Sequence, residues 1–173
     1  RLMKKLGLFL VALFAFVATP LAAQSKGVAT SADPRATAAG AEILAKGGSA
    51  ADAAMAMMLA LTVVEPQSSG IGGGGFLVHY DAKGATISTI NGRETAPAAA
   101  TPQRFTDAEG KPLPFLQAFP GGKSVGVPGN ISLMAEAHRK WGKLKWAEIF
   151  KPAIRLAEKG FVVNQTLDSR LDM

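Results

Sequence analysis

"VVEPQSSGIGGGGFLVHY", residues 63–80, joins two segments of opposite character. Before it runs "AADAAMAMMLALTVV" (50–64), apolar on every side and rich in alanine; after it runs "FLVHYDAKGATISTING" (76–92), which alternates. A helix that is apolar around its whole circumference is a buried helix. Alternation interrupted by "DAKG" is a hairpin, with strands over 76–80 and 86–90. The quoted stretch is therefore the crossing from a buried helix to a two-stranded hairpin, with Pro66 helping to end the helix.

Five of the six residues 70–75 are glycine. Gly70, Gly72 and Gly75 satisfy the G-x-G-x-x-G spacing of dinucleotide sites. That fingerprint needs a strand before it and a helix after it, so that the helix N-terminus meets the pyrophosphate. The order here is reversed, and the nucleotide reading fails. "PGGKS" (120–124) fails as a Walker motif too, because Gln117 stands where the first glycine is required. What remains is geometric: glycine tolerates positive φ and lacks the Cβ that holds backbones apart. By residue type alone the run fits beneath a buried helix or beside an active site. It is read as close-packed backbone between the buried helix and the hairpin that leads to Arg93. Ser68 and Ser69 lack the G-x-S-x-G elbow of a nucleophile, so their hydroxyls are assigned to the turn.

Towards the N-terminus, "GVATSA" (27–32) reads as a short strand. Asp33 then offers an N-cap acceptor, and Pro34 sits at the first helical position. This helix should run to about Lys46 and stop at Gly47 and Gly48. Ser49 caps the buried helix, with Asp52 in its first turn. Met55, Met57 and Met58 are core filler.

Residues 1–23 read as a secretory signal peptide. Lys4 and Lys5 form the basic n-region and residues 6–18 the apolar core, while "LAA" supplies small residues for cleavage before Gln24. Thirteen apolar residues fall short of the roughly 20 that a span needs. The expected destination is the periplasm or the medium, with no stable membrane association after cleavage. Residues 24–173 form the second unit. The formal charge of +6 drops to +3 (16 basic against 13 acidic) when Arg1, Lys4 and Lys5 are removed. No basic run survives, so nucleic-acid binding is not expected. Without cysteine the chain has no disulfide and no thiolate metal site.

Towards the C-terminus, residues 97–129 are rich in proline and glycine and read as loops, with a short helix near 101–105 and a short strand and turn at "SVGVPG". Helical spacing returns at Asn130, placing Ile131, Met134, Ala135 and His138 together. Another helix follows over "KWAEIFKPAIRLAEKG", with Pro152 near its start and Gly160 at its end. Leu167 opens a further helix that stops in mid-pattern. His79 is expected to face outward or to meet a partner strand, with no acid or nucleophile at triad spacing to it, and His138, among charged residues, to be a surface group rather than a ligand.

"EPQSSGIGGGGF" (65–76) with "GRETAP" (92–97) resembles the γ-glutamyltranspeptidases. The likeness extends through "DPRATAAGAEILAKGGSAADAAMAMMLALTVV" and "PGNISLMAEAHRKWGKLKWAEIFKPAIRLAEKGFVV", and so covers essentially residues 27–173. The resemblance implies an α+β fold, the four-layer αββα sandwich of N-terminal-nucleophile hydrolases, of which this chain would be an incomplete N-terminal portion. It implies a precursor that cuts itself into large and small subunits. The new N-terminal threonine of the small subunit attacks a γ-glutamyl amide and forms an acyl-enzyme. The glutamyl group then passes to water or to an amino acid or peptide. Glutathione is the usual donor, and no cofactor or metal is implied. The processing threonine belongs to a later part of such precursors; Thr166 has none of its motif around it. No catalytic residue is therefore expected in these 173 residues, and the piece alone is expected to be inactive.

One site residue carries over. The arginine of the "GRETAP" motif is Arg93, and the resemblance makes it the anchor for the α-carboxylate of the γ-glutamyl donor. A planar guanidinium suits that task because it pairs with a carboxylate through two parallel hydrogen bonds. Its residue type alone fits equally an internal pair with Glu94 or Glu65. Two other readings stand beside this one: a related acylase of the cephalosporin acylase type, and a secreted binding module of the same fold that has lost its nucleophile.

Overall fold

The computed structural model describes residues 27–171. The signal-peptide reading lies outside them. Helix α1 (Pro34–Ala45) is capped by Asp33, whose side chain accepts from the Arg35 N–H, and Pro34 stands at its start. Gly47, at φ +85°, turns the chain where a side chain would be strained. Helix α2 (Ala50–Val64) opens with a capping box: Ser49 accepts from the Asp52 N–H, and the Asp52 carboxylate accepts from the Ser49 N–H.

Strands β1 (Gly75–Asp81) and β2 (Thr86–Gly92) form an antiparallel hairpin in which Leu77 faces Ile90 and His79 faces Ser88. A one-turn helix α3 (Phe115–Ala118) and a 3-10 turn (Gly122–Ser124) follow. Helices α4 (Asn130–Trp141), α5 (Trp146–Lys159) and α6 (Gln165–Leu171) complete the chain.

Helix α2 is the centre of the molecule and packs against α1, α4 and α5. Its Ala51, Met55 and Leu59 meet Leu133, Met134 and Ala137 of α4 and Ile149 and Ala153 of α5 in one core. Alanines on α1 and α2 (Ala36, Ala39 and Ala60) let those two helices lie close together. A Cβ on Gly40 would stand 2.8 Å from the Met57 side chain, which explains the glycine inside α1. The hairpin lies on α4 through Leu77 and Ile90.

Several expectations are corrected. Residues 27–32 form no strand; the Ser31 hydroxyl instead donates to the Asp33 carbonyl, and its N–H donates to Thr37 Oγ1, tying this segment to the start of α1. Residues 101–105 are turns, and the short helix stands at 115–118. "SVGVPG" contributes a single bridge between Val127 and Thr95. On α4 the inward face is Asn130, Leu133, Met134 and Ala137, whereas Ile131 and Ala135 are exposed. Of the three methionines of α2, only Met55 is fully buried. His79 shares the inner face with Leu77 and stacks on Trp141, with centroids 4.1 Å apart. His138 is no free surface group: its Nε2 lies 2.8 Å from the Leu144 carbonyl, and its ring meets the edge of Trp146.

Candidate functional site

Arg93 is the first residue after β2, so the hairpin ladder sets the direction from which its side chain leaves the sheet. Its N–H donates to Asn91 Oδ1 at 3.0 Å, which closes a tight local turn. The side chain is 63% exposed, and its Nη1 stands 2.8 Å from Glu94 Oε2. Glu94 rather than Glu65 is its partner. The contact lacks the direction of an N–H bond, and Oε2 has no hydrogen-bond donor among the described residues. The guanidinium is thus held by charge while its exposed edge stays open to an anion. Thr95 then pairs with Val127 through two backbone hydrogen bonds and anchors the far side of Glu94.

The glycine turn lies against this point. Gly73 N–H donates to the Gly70 carbonyl at 3.2 Å, closing the turn. A Cβ on Gly74 would stand 2.7 Å from Glu94 N, Glu94 Oε2 and Gly92 O, so only glycine fits there. Around Gly72, by contrast, nothing lies within 4 Å. The close approach therefore runs between the turn and the end of β2, at Gly74, and not along the whole run or against α2. Ser68 and Ser69 serve the turn with their backbone N–H groups, both donating to the Glu65 carbonyl at 3.0 Å.

Helix α4 completes the arrangement. The N–H groups of Gly129 and Asn130 donate to the Gly73 carbonyl at 3.0 and 3.1 Å. Asn130 Nδ2 donates to the Gly70 carbonyl at 2.7 Å, across 60 positions of sequence. Asn130 Oδ1 and both polar atoms of the Gln67 amide are buried without a partner among the described residues. Residue-type reasoning singled out none of Gln67, Glu94 and Asn130 as site residues. "PGN" before a helix is a start signal, but it reads as a cap, and the cap position is Gly129.

An open groove of about 310 Å³ lies elsewhere, between α1 and α5, with Arg35, Glu42, Arg155 and Lys159 in its lining. Two of its cations are already paired, Arg35 with Asp33 and Arg155 with Glu42. None of its lining comes from the hairpin or the glycine turn, so it is not part of the Arg93 arrangement. Among the described residues no cluster of His, Asp or Glu could hold a metal ion.

The sequence pattern of the family described as gamma-glutamyltranspeptidase matches residues 36–173. The glutathione hydrolase proenzyme of Bacillus subtilis (strain 168) is 47% identical over 141 residues, which are 82% of this chain and 24% of that protein. The chain thus spans about a quarter of the length of the curated relative it matches. The crystal structure of Helicobacter pylori gamma-glutamyltranspeptidase superposes with a TM-score of 0.81 at 37% identity, over 88% of this chain and 43% of that one. A cephalosporin acylase from Bacillus halodurans superposes with a TM-score of 0.67 at 39% identity, over 78% and 24%. The mixed helices and strands described above are an incomplete portion of the fold these N-terminal-nucleophile hydrolases share. The chain belongs to the gamma-glutamyltranspeptidase family.

Proposed function

We propose that this chain is the N-terminal part of the large subunit of a secreted γ-glutamyltransferase and glutathione hydrolase precursor, and that Arg93 binds the α-carboxylate of the γ-glutamyl donor. The observation that carries the reading is the placement of Arg93: fixed by its backbone at the end of β2, 63% exposed, and paired only along one edge with Glu94. A guanidinium so placed offers a carboxylate two parallel hydrogen bonds and so orients it as well as attracting it. The threonine nucleophile, its activating amine and the small subunit belong, on this reading, to polypeptide outside these 173 residues. The acyl group then passes from that threonine to water or to an amino acid or peptide.

The test is Arg93→Lys in the complete, processed protein. A lysine keeps the charge and loses the two-pronged geometry. KM for a γ-glutamyl anilide should rise at least tenfold, about 1.4 kcal/mol or more of lost binding. An unchanged KM removes Arg93 from the site. The 173-residue chain alone should not turn over the same anilide; turnover would place the bond-breaking group within it.

The likeness to a cephalosporin acylase supports a second reading, with another acyl group in place of γ-glutamyl. Faster cleavage of a cephalosporin side-chain amide than of a γ-glutamyl anilide would favour it. Export rests on residues 1–23, and the exported protein should begin at Gln24. An N-terminal sequence that still contains Lys4 and Lys5 would refute cleavage.

A further inference from the structure

Three backbones meet behind Arg93: the glycine turn, the end of β2 and the start of α4. A Cβ on Gly129 would stand 2.1 Å from the Gly92 carbonyl, and one on Gly92 would stand 2.5 Å from Leu133 Cβ. The start of α4 is therefore pressed directly on the residue before Arg93. It is also tied to the glycine turn at two carbonyls, Gly73 through two backbone N–H groups and Gly70 through Asn130 Nδ2. The turn in turn presses on Glu94, whose Oε2 is the atom facing Arg93 Nη1.

Among the described residues, Asn130 is the side chain in this junction that reaches from the helix to the turn. It is 8% exposed, and its amide nitrogen donates to the turn rather than to its own helix. A buried polar side chain whose amide nitrogen is spent on a carbonyl 60 positions away is committed to that carbonyl. Its Oδ1 is left without a donor among the described residues and lies 3.1 Å from where a Gly75 Cβ would be. A Cβ on Gly73 would meet both Glu94 Oε1, at 3.5 Å, and Asn130 Nδ2, at 3.8 Å, so Asn130 and the Glu94 carboxylate both stand against the turn.

We infer that Asn130 is a positioning residue for the Arg93 site: by clamping the Gly70 carbonyl it holds the glycine turn against Glu94, and the turn holds the Glu94 carboxylate where it orients the Arg93 guanidinium. This rests on the reading of Arg93 as the carboxylate anchor. Asn130 acts through the turn and touches no substrate. Loss of its Nδ2 donor frees the turn, lets Glu94 swing, and leaves the guanidinium charged but misaimed. A misaimed anchor weakens substrate binding more than it slows a reaction carried out by groups elsewhere.

The experiment is a double-mutant cycle in the complete, processed protein, with Asn130→Ala, Arg93→Lys and their combination, reading KM and kcat for a γ-glutamyl anilide. Asn130→Ala should raise KM about three- to tenfold with kcat within twofold, and it should raise KM little further in the Arg93→Lys background. Asn130→Asp keeps the shape and replaces the donor by a second acceptor facing the carbonyl. It should reproduce the KM effect, and it carries the comparison should Asn130→Ala not fold. If Arg93→Lys raises KM while both Asn130 variants leave it unchanged, or if the two effects multiply in full, Asn130 has no positioning role and the Arg93 reading survives. If Arg93→Lys itself leaves KM unchanged, the anchor reading falls and this inference falls with it.

Discussion

Among the described residues, every fully buried hydrophobic side chain lies within 36–64 or 133–167. None lies within 65–129, where Phe76, Val78, Tyr80, Ile87, Phe115 and Leu116 stand 60–79% exposed. The helical layer closes its own core because α2 has neighbours on three sides. The hairpin has two strands and two faces, and α4 covers one of them. A sheet needs a layer against each apolar face, and the sandwich of this family supplies a second sheet. Arg93 stands at the seam between the self-sufficient helices and the segment whose apolar face is open.

The sharpest way to break this contrast is to truncate matched side chains on either side of the seam. Met55→Ala, at a fully buried position, should cost about 3 kcal/mol in urea unfolding, whereas Val78→Ala should stay within about 0.5 kcal/mol. Equal losses would mean that the hairpin carries as much of the core as the helices do.

A smaller effect tests how the helical layer is stapled. Asp52 Oδ2 accepts from the N–H groups of Ser49, Lys143 and Leu144, joining the start of α2 to the turn between α4 and α5. Asp52→Ala should cost about 2 kcal/mol and leave the amides of Lys143 and Leu144 exchanging faster with solvent. Protection of those amides unchanged from the parent would show that the staple is dispensable.

The next effect depends on pH. The Asp33 carboxyl is held below the ordinary carboxylate range, chiefly by the side-chain hydrogen bonds from Arg35. A lowered folded value means that its contribution is fully present above the unfolded value of about 3.9 and fades as pH falls through the folded value. The advantage of the parent over Asp33→Asn should be about 1 kcal/mol and flat from pH 5 to 8, shrinking below about pH 4. An advantage that grows on acidification would reverse the assignment.

The smallest effect sits on the open side. Phe76→Thr should change stability by less than about 0.5 kcal/mol, yet reduce binding of a hydrophobic dye to the 173-residue chain. Undiminished dye binding would place the exposed apolar surface elsewhere, for example on α3.

Much of the scaffold was legible because its signals are local. Asp33 with Pro34, Ser49 with Asp52, and Gly47 and Gly160 mark helix ends through contacts within a few residues. The hairpin followed from alternation and a short turn. The face of α4 was misplaced because Ile131 is apolar but lies on the side that no element covers, while polar Asn130 points inward. For His79, alternation fixes which residues share a face, and only the position of Trp141 shows what that face meets.

The sequence by itself determined the ends of the long helices near the N-terminus, the two strands of the hairpin, that the glycine run follows a helix and precedes a strand, and that Arg93 stands at a strand end in a motif of this family. Those facts depend on neighbours along the chain and on residue types. The tertiary structure alone decided that Glu94 and not Glu65 faces Arg93, that Gly74 is the glycine pressed against Glu94 and Gly92, and that Asn130 donates to the Gly70 carbonyl of the turn. These are contacts between backbones brought together by the packing of α4 on the hairpin. No local pattern encodes them, because side-chain reach is a few ångströms in space whatever the separation in sequence.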